Sequence, residues 1–322
     1  MNDINDIKLT FLDDNEYKDI LTCGCAVAVG SFDGIHRGHR KILSALKHEA
    51  SLTGSEACVF SFFESDRPKS GKKLLTDAEE KKALLKNSGV DILCEADFSS
   101  VKDLEAEDFV SEILIKKLNA KSVVCGYDFR FGKNRRGDPK LMKKIADGYG
   151  IRCVSVPPVL SDGTPVSSTL IRKMVSDGNI ADANSLLGYK YSFSSAVISG
   201  NKIGRTLGIP TVNQRFPGDR EIPKYGVYAV ECEINGRKYG GVANIGIKPT
   251  VGVLSRPLCE THIFDFDGDL YGADVKISFV DFIREEKKFE NLEMLSERAK
   301  KDAETAKRIL EKEKNYAHKQ DS

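Results

Sequence analysis

The sequence changes its pattern once, near residues 184–190, and that change constrains the fold more than any other feature. Up to about residue 180, apolar runs at 26–29, 57–62, 91–94, 122–126 and 152–156 alternate with segments of helical spacing near 39–52, 77–88, 105–118 and 138–148. In the first of those segments Ile42, Leu43, Leu46 and Ala50 recur along one face. Strand and helix in alternation predict an α/β domain with a parallel sheet. From about Tyr191 the runs are short and alternating, at 192–199, 226–234, 237–245, 260–266 and 273–282, and Gly, Pro, Asn and Asp punctuate them. That pattern predicts a small antiparallel β-barrel. Phe289 to about Lys314 then reads as one long charged helix with Leu292, Leu295, Ala299, Ala303, Ala306 and Leu310 on a face. We therefore expect an α/β domain over 1–185 and a barrel domain with a C-terminal helix over 186–322, the last residues, Lys-Gln-Asp-Ser, being frayed.

Composition removes several function classes. The chain has 322 residues, enough for two cores, and its 49 Lys and Arg against 48 Asp and Glu argue against a nucleic-acid partner bound by phosphate neutralisation. No apolar run reaches membrane-spanning length, and the N-terminus, Met-Asn-Asp-Ile-Asn-Asp, is acidic rather than signal-like, so a cytoplasmic protein without a membrane partner is expected. The expected state is a monomer or weak homo-oligomer. Eight cysteines lie scattered, mostly inside apolar runs and without a C-x-x-C pair, which predicts free buried thiols; Cys23-Gly-Cys25 is the one place where metal or redox use comes into question.

The first chemical signal is Gly30-Ser-Phe32-Asp33-Gly34-Ile-His36-Arg-Gly38-His39, set between the apolar run Ala26–Val29 and an amphipathic stretch. Gly30, Gly34 and Gly38 allow a sharp turn and close approach of a ligand to the backbone. A helix opening at His39 would aim N–H groups and its positive dipole end at an anion. His36 and His39 would donate hydrogen bonds to phosphate oxygens as charge develops there. The stretch resembles the H-x-G-H signature of the nucleotidylyltransferase superfamily. With Phe32-Asp33-Gly34 ahead of the histidines, it is similar to the bacterial bifunctional riboflavin kinase/FAD synthetase family.

Two further elements of the first domain extend that resemblance. Gly126-Tyr-Asp128-Phe129-Arg-Phe131-Gly132 follows a predicted strand and leads into a helix with Asp138 as its cap and Pro139 in its first turn. It matches the family's G-x-D-F-x-F-G element, which the resemblance sets over the adenine nucleotide and flavin. Ser167, Ser168 and Thr169 open a helix that ends at Gly178, and Arg172 follows one turn later. Hydroxyls at such a start cap the helix, and with the arginine they also suit a triphosphate. The run is similar to the family's S-S-T-x-I-R motif.

In the second domain, Gly200-Asn-Lys-Ile-Gly204-Arg205-Thr-Leu-Gly208-Ile-Pro-Thr211-Val-Asn213 spaces three glycines by four. Thr211 and Asn213 offer neutral oxygens suited to a hard cation such as Mg²⁺. The string lacks the Gly-Lys-Ser/Thr of a Walker A loop and looks like the riboflavin kinase signature. Glu260, at the start of a predicted buried strand, needs a partner or a task. The resemblance makes it the base that accepts the proton of the ribityl 5′-hydroxyl. His262 reads as structural, and Arg284 as a substrate or phosphate contact.

The resemblance runs from about Val27 to Ile309 and implies a Rossmann-like nucleotidylyltransferase domain followed by a riboflavin kinase barrel. It implies ATP and flavins as substrates, riboflavin being converted to FMN and FMN to FAD, with Mg²⁺ as cofactor. It fails at one place. Where the family commonly carries Phe-x-Pro-His-Pro, this chain has Ser61-Phe-Phe-Glu-Ser-Asp-Arg-Pro68, without a histidine. A kinase with a weakened or altered nucleotidylyltransferase domain, and a non-catalytic flavin-binding regulator, are therefore the alternatives; presence of Thr211, Asn213 and Glu260 favours catalysis.

Overall fold

The computed structural model describes residues 7–12, 24–63, 73–199, 209–247 and 257–320, with side chains to residue 315. The chain divides into two compact units: Met1–Lys72 with Thr76–Ser167, and Lys73–Leu75 with Ser168–Ser322.

The first unit is built on a six-stranded parallel sheet of β1 (Lys8–Phe11), β2 (Cys25–Val29), β3 (Glu56–Phe63), β4 (Ile92–Asp97), β5 (Ala120–Gly126) and β6 (Arg152–Val156), in the order β1-β4-β3-β2-β5-β6. Central strand β2 shows why both faces must be covered. Cys25, Val27 and Val29 join a cluster with Phe109, Leu114 and Met142, while Ala26 and Ala28 pack against Leu43 and Leu46 on the opposite side. Those leucines belong to α1 (Arg37–Thr53), which ends on Gly54 in the left-handed conformation. Helix α2 (Ala78–Asn87) opens with a capping box, in which Asp77 accepts from the Glu80 N–H and the Glu80 side chain accepts from the Asp77 N–H. The helix expected over 105–118 is a single turn, Ala106–Asp108, running into a wider π-type helix, Phe109–Lys117. Helix α3 (Pro139–Gly148) has Asp138 as its cap, as its sequence predicts. A two-stranded hairpin, β7 (Leu160–Ser161) with β8 (Thr164–Pro165), completes the unit.

In the second unit, α4 (Ser168–Asp177) and α5 (Ile180–Leu187) precede a closed barrel. Its strands are β9 (Ser192–Ile198), β10 (Val212–Arg215), β11 (Gly226–Ile234), β12 (Arg237–Gly246), β13 (Leu258–Ile263) and β14 (Asp274–Glu285), in the order β10-β13-β12-β11-β14-β9, with every neighbouring pair antiparallel. The long helix α6 (Leu292–Gln320) lays Ala306 and Leu310 on Ala229, Val280 and Phe264 of the barrel unit. Arg284 is not left for a substrate: Nε and Nη2 bind Asp302 on α6 at 2.7–3.1 Å, and Nη1 donates to the Glu285 carbonyl. That nearly buried ion pair fixes the helix on β14. The cysteines among the described residues are free and, Cys153 apart, buried. Cys25 donates from Sγ to the Leu118 carbonyl, while Cys23 lies outside the described residues.

Candidate active sites

In the first unit, the segment after β2 enters α1 through a tight turn. Helix α1 starts at Arg37, two residues before the expected start, because His36 is its N-cap: the His36 Nδ1 accepts from the His39 backbone N–H at 3.3 Å. An accepting Nδ1 puts the ring proton of neutral His36 on Nε2. The two imidazoles stack, with centroids 3.8 Å apart and an interplanar angle of 15°, and Phe32 packs against His39 at 5.2 Å. A Cβ at Gly38 would fall 3.0 Å from the His36 ring and 3.3 Å from the Val166 carbonyl, so any larger residue there would press on the stack. Phe32 and Ile35 both hold positive φ, 49° and 32°, although neither is glycine. Such conformations cost on the order of 1–3 kcal/mol each and persist where surrounding packing over-determines them. Both side chains are fully buried here.

Asp33 serves this turn from within. Its Oδ1 accepts from the Thr76 N–H at 3.1 Å and from the Thr76 hydroxyl at 3.3 Å, and Gly34 N–H donates to that hydroxyl. The His39 ring is partly exposed, but its Nδ1 is buried and finds no hydrogen-bond partner among the described residues. Burial, then His36, then Lys81 hold the His39 imidazole well below the ordinary histidine range, so it is neutral near pH 7.

The loop after β5 divides its residues between structure and surface. Phe131 sits in the core against Phe109, and Phe129 stacks on Phe131 at 5.7 Å. Gly132, at φ 70°, could not carry a Cβ, which would lie 2.7 Å from the Ala106 backbone. Gly126 is half-buried, and Asp128 is exposed. Ser167 ends the first unit, while Ser168, Thr169 and Arg172 start α4 in the second. Arg172 Nε donates to the Lys73 carbonyl at 2.6 Å.

The barrel gathers its polar groups by register. Along β13, Cys259, Thr261 and Ile263 are buried, and Glu260 and His262 point to the other face. Asn213 of β10 and Asn244 of β12 stand directly opposite Glu260, one on each side. Opposed residues of an antiparallel pair share a face, so the three side chains form one row across three strands. Asn213 is buried, and its Oδ1 finds no hydrogen-bond partner among the described residues. His262 hydrogen-bonds the Pro210 carbonyl through Nδ1 at 2.8 Å, the structural task its sequence position suggested, and so holds the residue before Thr211. A cavity of about 410 Å³ adjoins, lined by Pro210, Thr211, Val197, Phe266, Asp269 and Tyr271 among others. Gly200, Gly204, Arg205 and Gly208 lie outside the described residues, as do residues 64–68 of the divergent stretch.

The sequence reading missed Asn244, Thr76 and Lys81. Asn244, an amide between buried Ala243 and Ile245, was the available signal for the first, and the capping-box spacing Asp77…Glu80 marked the segment that carries the other two.

Two family models match the chain in tandem: FAD synthetase over residues 19–170 and riboflavin kinase over residues 187–310. Curated relatives named bifunctional riboflavin kinase/FMN adenylyltransferase include one from Escherichia coli K12, 37% identical over 89% of this chain and 93% of its own length. Another, from Bacillus subtilis, is 36% identical over 88% of this chain and 92% of its own. A crystal structure from Streptococcus pneumoniae, described as a macrolide-efflux protein, matches with a TM-score of 0.84 at 33% identity, over 94% of this chain and 99% of that one. Among the described residues no helix is long and apolar enough to cross a membrane. With both models matched in order and the relatives aligned nearly end to end, the chain belongs to the bifunctional riboflavin kinase/FMN adenylyltransferase family.

Proposed function

We propose that the chain makes FAD in two ATP-dependent steps, the barrel domain phosphorylating riboflavin to FMN with release of ADP, and the α/β domain adenylylating FMN with release of pyrophosphate. One observation carries the reading: each compact unit holds its own reactive constellation, the stacked His36–His39 pair at the start of α1 and the Asn213–Glu260–Asn244 row on the barrel.

In the barrel, Glu260 accepts the proton of the ribityl 5′-hydroxyl as its oxygen attacks the γ-phosphorus and the bond to ADP breaks. Asn213 and Asn244 flank the carboxylate and orient it. The orphaned Oδ1 of Asn213 and the hydroxyl of nearby Thr211 suit Mg²⁺, which takes few protein oxygens and completes its shell with water and phosphate. When bound, the cation would neutralise charge on the transferring phosphates. Gly200, Gly204, Arg205 and Gly208 belong to the phosphate-binding stretch before it.

In the α/β domain, an FMN phosphate oxygen attacks the α-phosphorus of ATP and the bond to pyrophosphate breaks. His36 donates from Nε2, and His39, held neutral, supplies a second donor, to the oxygens whose charge grows. Gly30, Phe32, Asp33, Gly34 and Gly38 shape the turn that aims them. Ser167, Ser168, Thr169 and Arg172 bind phosphate, and Gly126, Asp128, Phe129, Phe131 and Gly132 form the loop over nucleotide and flavin. No covalent enzyme intermediate is required in either step; positioning and charge neutralisation suffice. We assign adenylylation to 1–185 and phosphorylation to 186–322, in a cytoplasmic monomer or weak homo-oligomer.

Chromatography of riboflavin, FMN and FAD after incubation with Mg²⁺–ATP tests the reading. FMN should rise and then pass to FAD; FMN that accumulates without FAD would remove adenylylation from the assignment, and unchanged riboflavin would remove the kinase.

A further inference from the structure

Lys81 on α2 is nearly buried, and its ammonium lies 2.5 Å from the Ser61 hydroxyl and 2.8 Å from Glu95 Oε1, with 11% and 14% of the two charged side chains exposed. An ion pair this far from water costs much of its attraction in desolvation and is weak evidence for stability. Its neighbours point to another task. Ser61 in turn hydrogen-bonds the Ser31 carbonyl at 3.2 Å, inside the turn between β2 and α1. Five residues earlier, Thr76 binds Asp33 and Gly34 of the same turn. The approach to α2 and its second turn thus grip the Gly30–Gly34 turn at two points, and the Asp77–Glu80 capping box fixes the angle of the helix that does so.

We propose that Lys81 is a positioning residue for adenylyl transfer, holding the Gly30–Gly34 turn through Ser61 and setting a fixed positive charge beside the imidazole pair. The inference rests on the assignment of adenylyl transfer to this turn. Lys81 is one of the groups that hold His39 below its ordinary range, after burial and His36. Nearest to His39 along the chain are Asp33 in the turn and Arg37, Arg40 and Lys41 on α1; farther along α1 stand Lys47, His48 and Glu49, α2 carries Glu79, Glu80, Lys82 and Lys86 beside Lys81, and Glu95 of β4 pairs with Lys81. His39 then acts as a neutral donor, while the permanent positive charge comes from the lysine.

The experiment measures kcat and KM for FAD formation from FMN and Mg²⁺–ATP across pH in the full chain, with riboflavin phosphorylation and thermal melting as controls of folding. Lys81→Met should lower kcat about 10-fold or more, with little change in KM for FMN, as expected for misplacement of reacting groups. The acid limb of its profile should move to higher pH, since His39 loses a neighbouring positive charge. Lys81→Arg should recover most of the rate, and Ser61→Ala should lower kcat a few-fold without moving the acid limb. A folded Lys81→Met protein with wild-type kcat and an unmoved acid limb overturns the inference. Should that variant fail to fold, wild-type kcat in Ser61→Ala overturns it instead. A folded His36→Ala/His39→Ala protein that still makes FAD breaks the underlying assignment; loss of FAD there, with no effect at Lys81, breaks this inference alone.

Discussion

The imidazole site of the α/β unit comes from ten consecutive residues, Gly30 to His39, whereas the carboxylate row of the barrel comes from three strands that are distant in sequence. The first is held by local devices: a side-chain cap, two left-handed non-glycine residues and a glycine that leaves room for a ring. The second is aligned by ladder register, and a slip of one residue on β10 or β12 would turn its asparagine away from Glu260. Chemistry built on a turn is exposed to single changes within that turn. Chemistry built on register is protected by the whole barrel, and there the side chains of the row, rather than the backbone that aligns them, are the points of failure.

Glu260→Gln should give the largest effect, a fall of about 10²–10⁴ in the rate of riboflavin phosphorylation, the range of a general base. Adenylylation of supplied FMN should stay near wild type. A near-normal kinase rate in the variant would return Glu260 to a structural role and leave the barrel row without chemistry. Next comes His39→Ala, expected to lower FAD formation from FMN by about 10²–10³, the usual cost of losing one donor to a developing oxyanion, while kinase activity persists. Loss of both activities together would mean that the two sites are not independent.

The same contrast explains what the sequence disclosed. The strands at 26–29, 57–62 and 122–126 were legible because they are apolar on both faces, and the turn was legible because its glycines and histidines are contiguous. Strand β10 was not, because Val-Asn-Gln-Arg reads as polar loop: Gln214 is buried with its amide donating to the Ser195 carbonyl of β9 and the Val275 carbonyl of β14. Strand β1 is a four-residue edge with one side exposed, too short for a periodic signal. Asn244 and Lys81 acquire meaning only from residues brought to them by the sheet. Arg284 misled for the opposite reason, since its buried partner Asp302 lies on another element.

A cut between the units probes the register-built site as a whole. The change of pattern at 184–190 suggests a fragment beginning near Leu186, but compact packing assigns α4 and α5 to the barrel unit. Asn184 donates to the Phe279 carbonyl at 2.9 Å and accepts from the Tyr191 N–H at 2.7 Å, and Ile180 and Ala183 are fully buried. Removing them costs on the order of 3 kcal/mol by burial and hydrogen bonding. Fragment 186–322 should therefore phosphorylate riboflavin yet melt about 10 °C below fragment 168–322. Equal melting temperatures would make α5 dispensable, and a well-folded but inactive 186–322 would show that the kinase needs more than the barrel and α6.

The smallest effect separates the units by pH. In the barrel, burial raises Tyr228, Cys232 and Cys259, the last to about 12, so alkali should weaken it; in the α/β unit a thiol contact with Cys25, then burial, raises Cys58, while the Cys125–Cys153 contact raises one thiol and lowers the other. Acid should discriminate between the units. His39 is lowered in the folded state, so as pH falls below the ordinary value of 6.5 the unfolded chain takes up a proton that the folded unit refuses. Stability is then lost on acidification through that window until the folded imidazole itself titrates, with a slope of at most about 1.4 kcal/mol per pH unit for one proton. Hydrogen exchange between pH 7 and 5.5, resolved by segment, should therefore show the β2–α1 region opening more readily while β11–β14 changes little. His39→Gln should flatten that slope without altering the barrel. If the variant keeps the wild-type acid response, the imidazole is not the group that refuses the proton, and its neutral state in the turn loses its thermodynamic support.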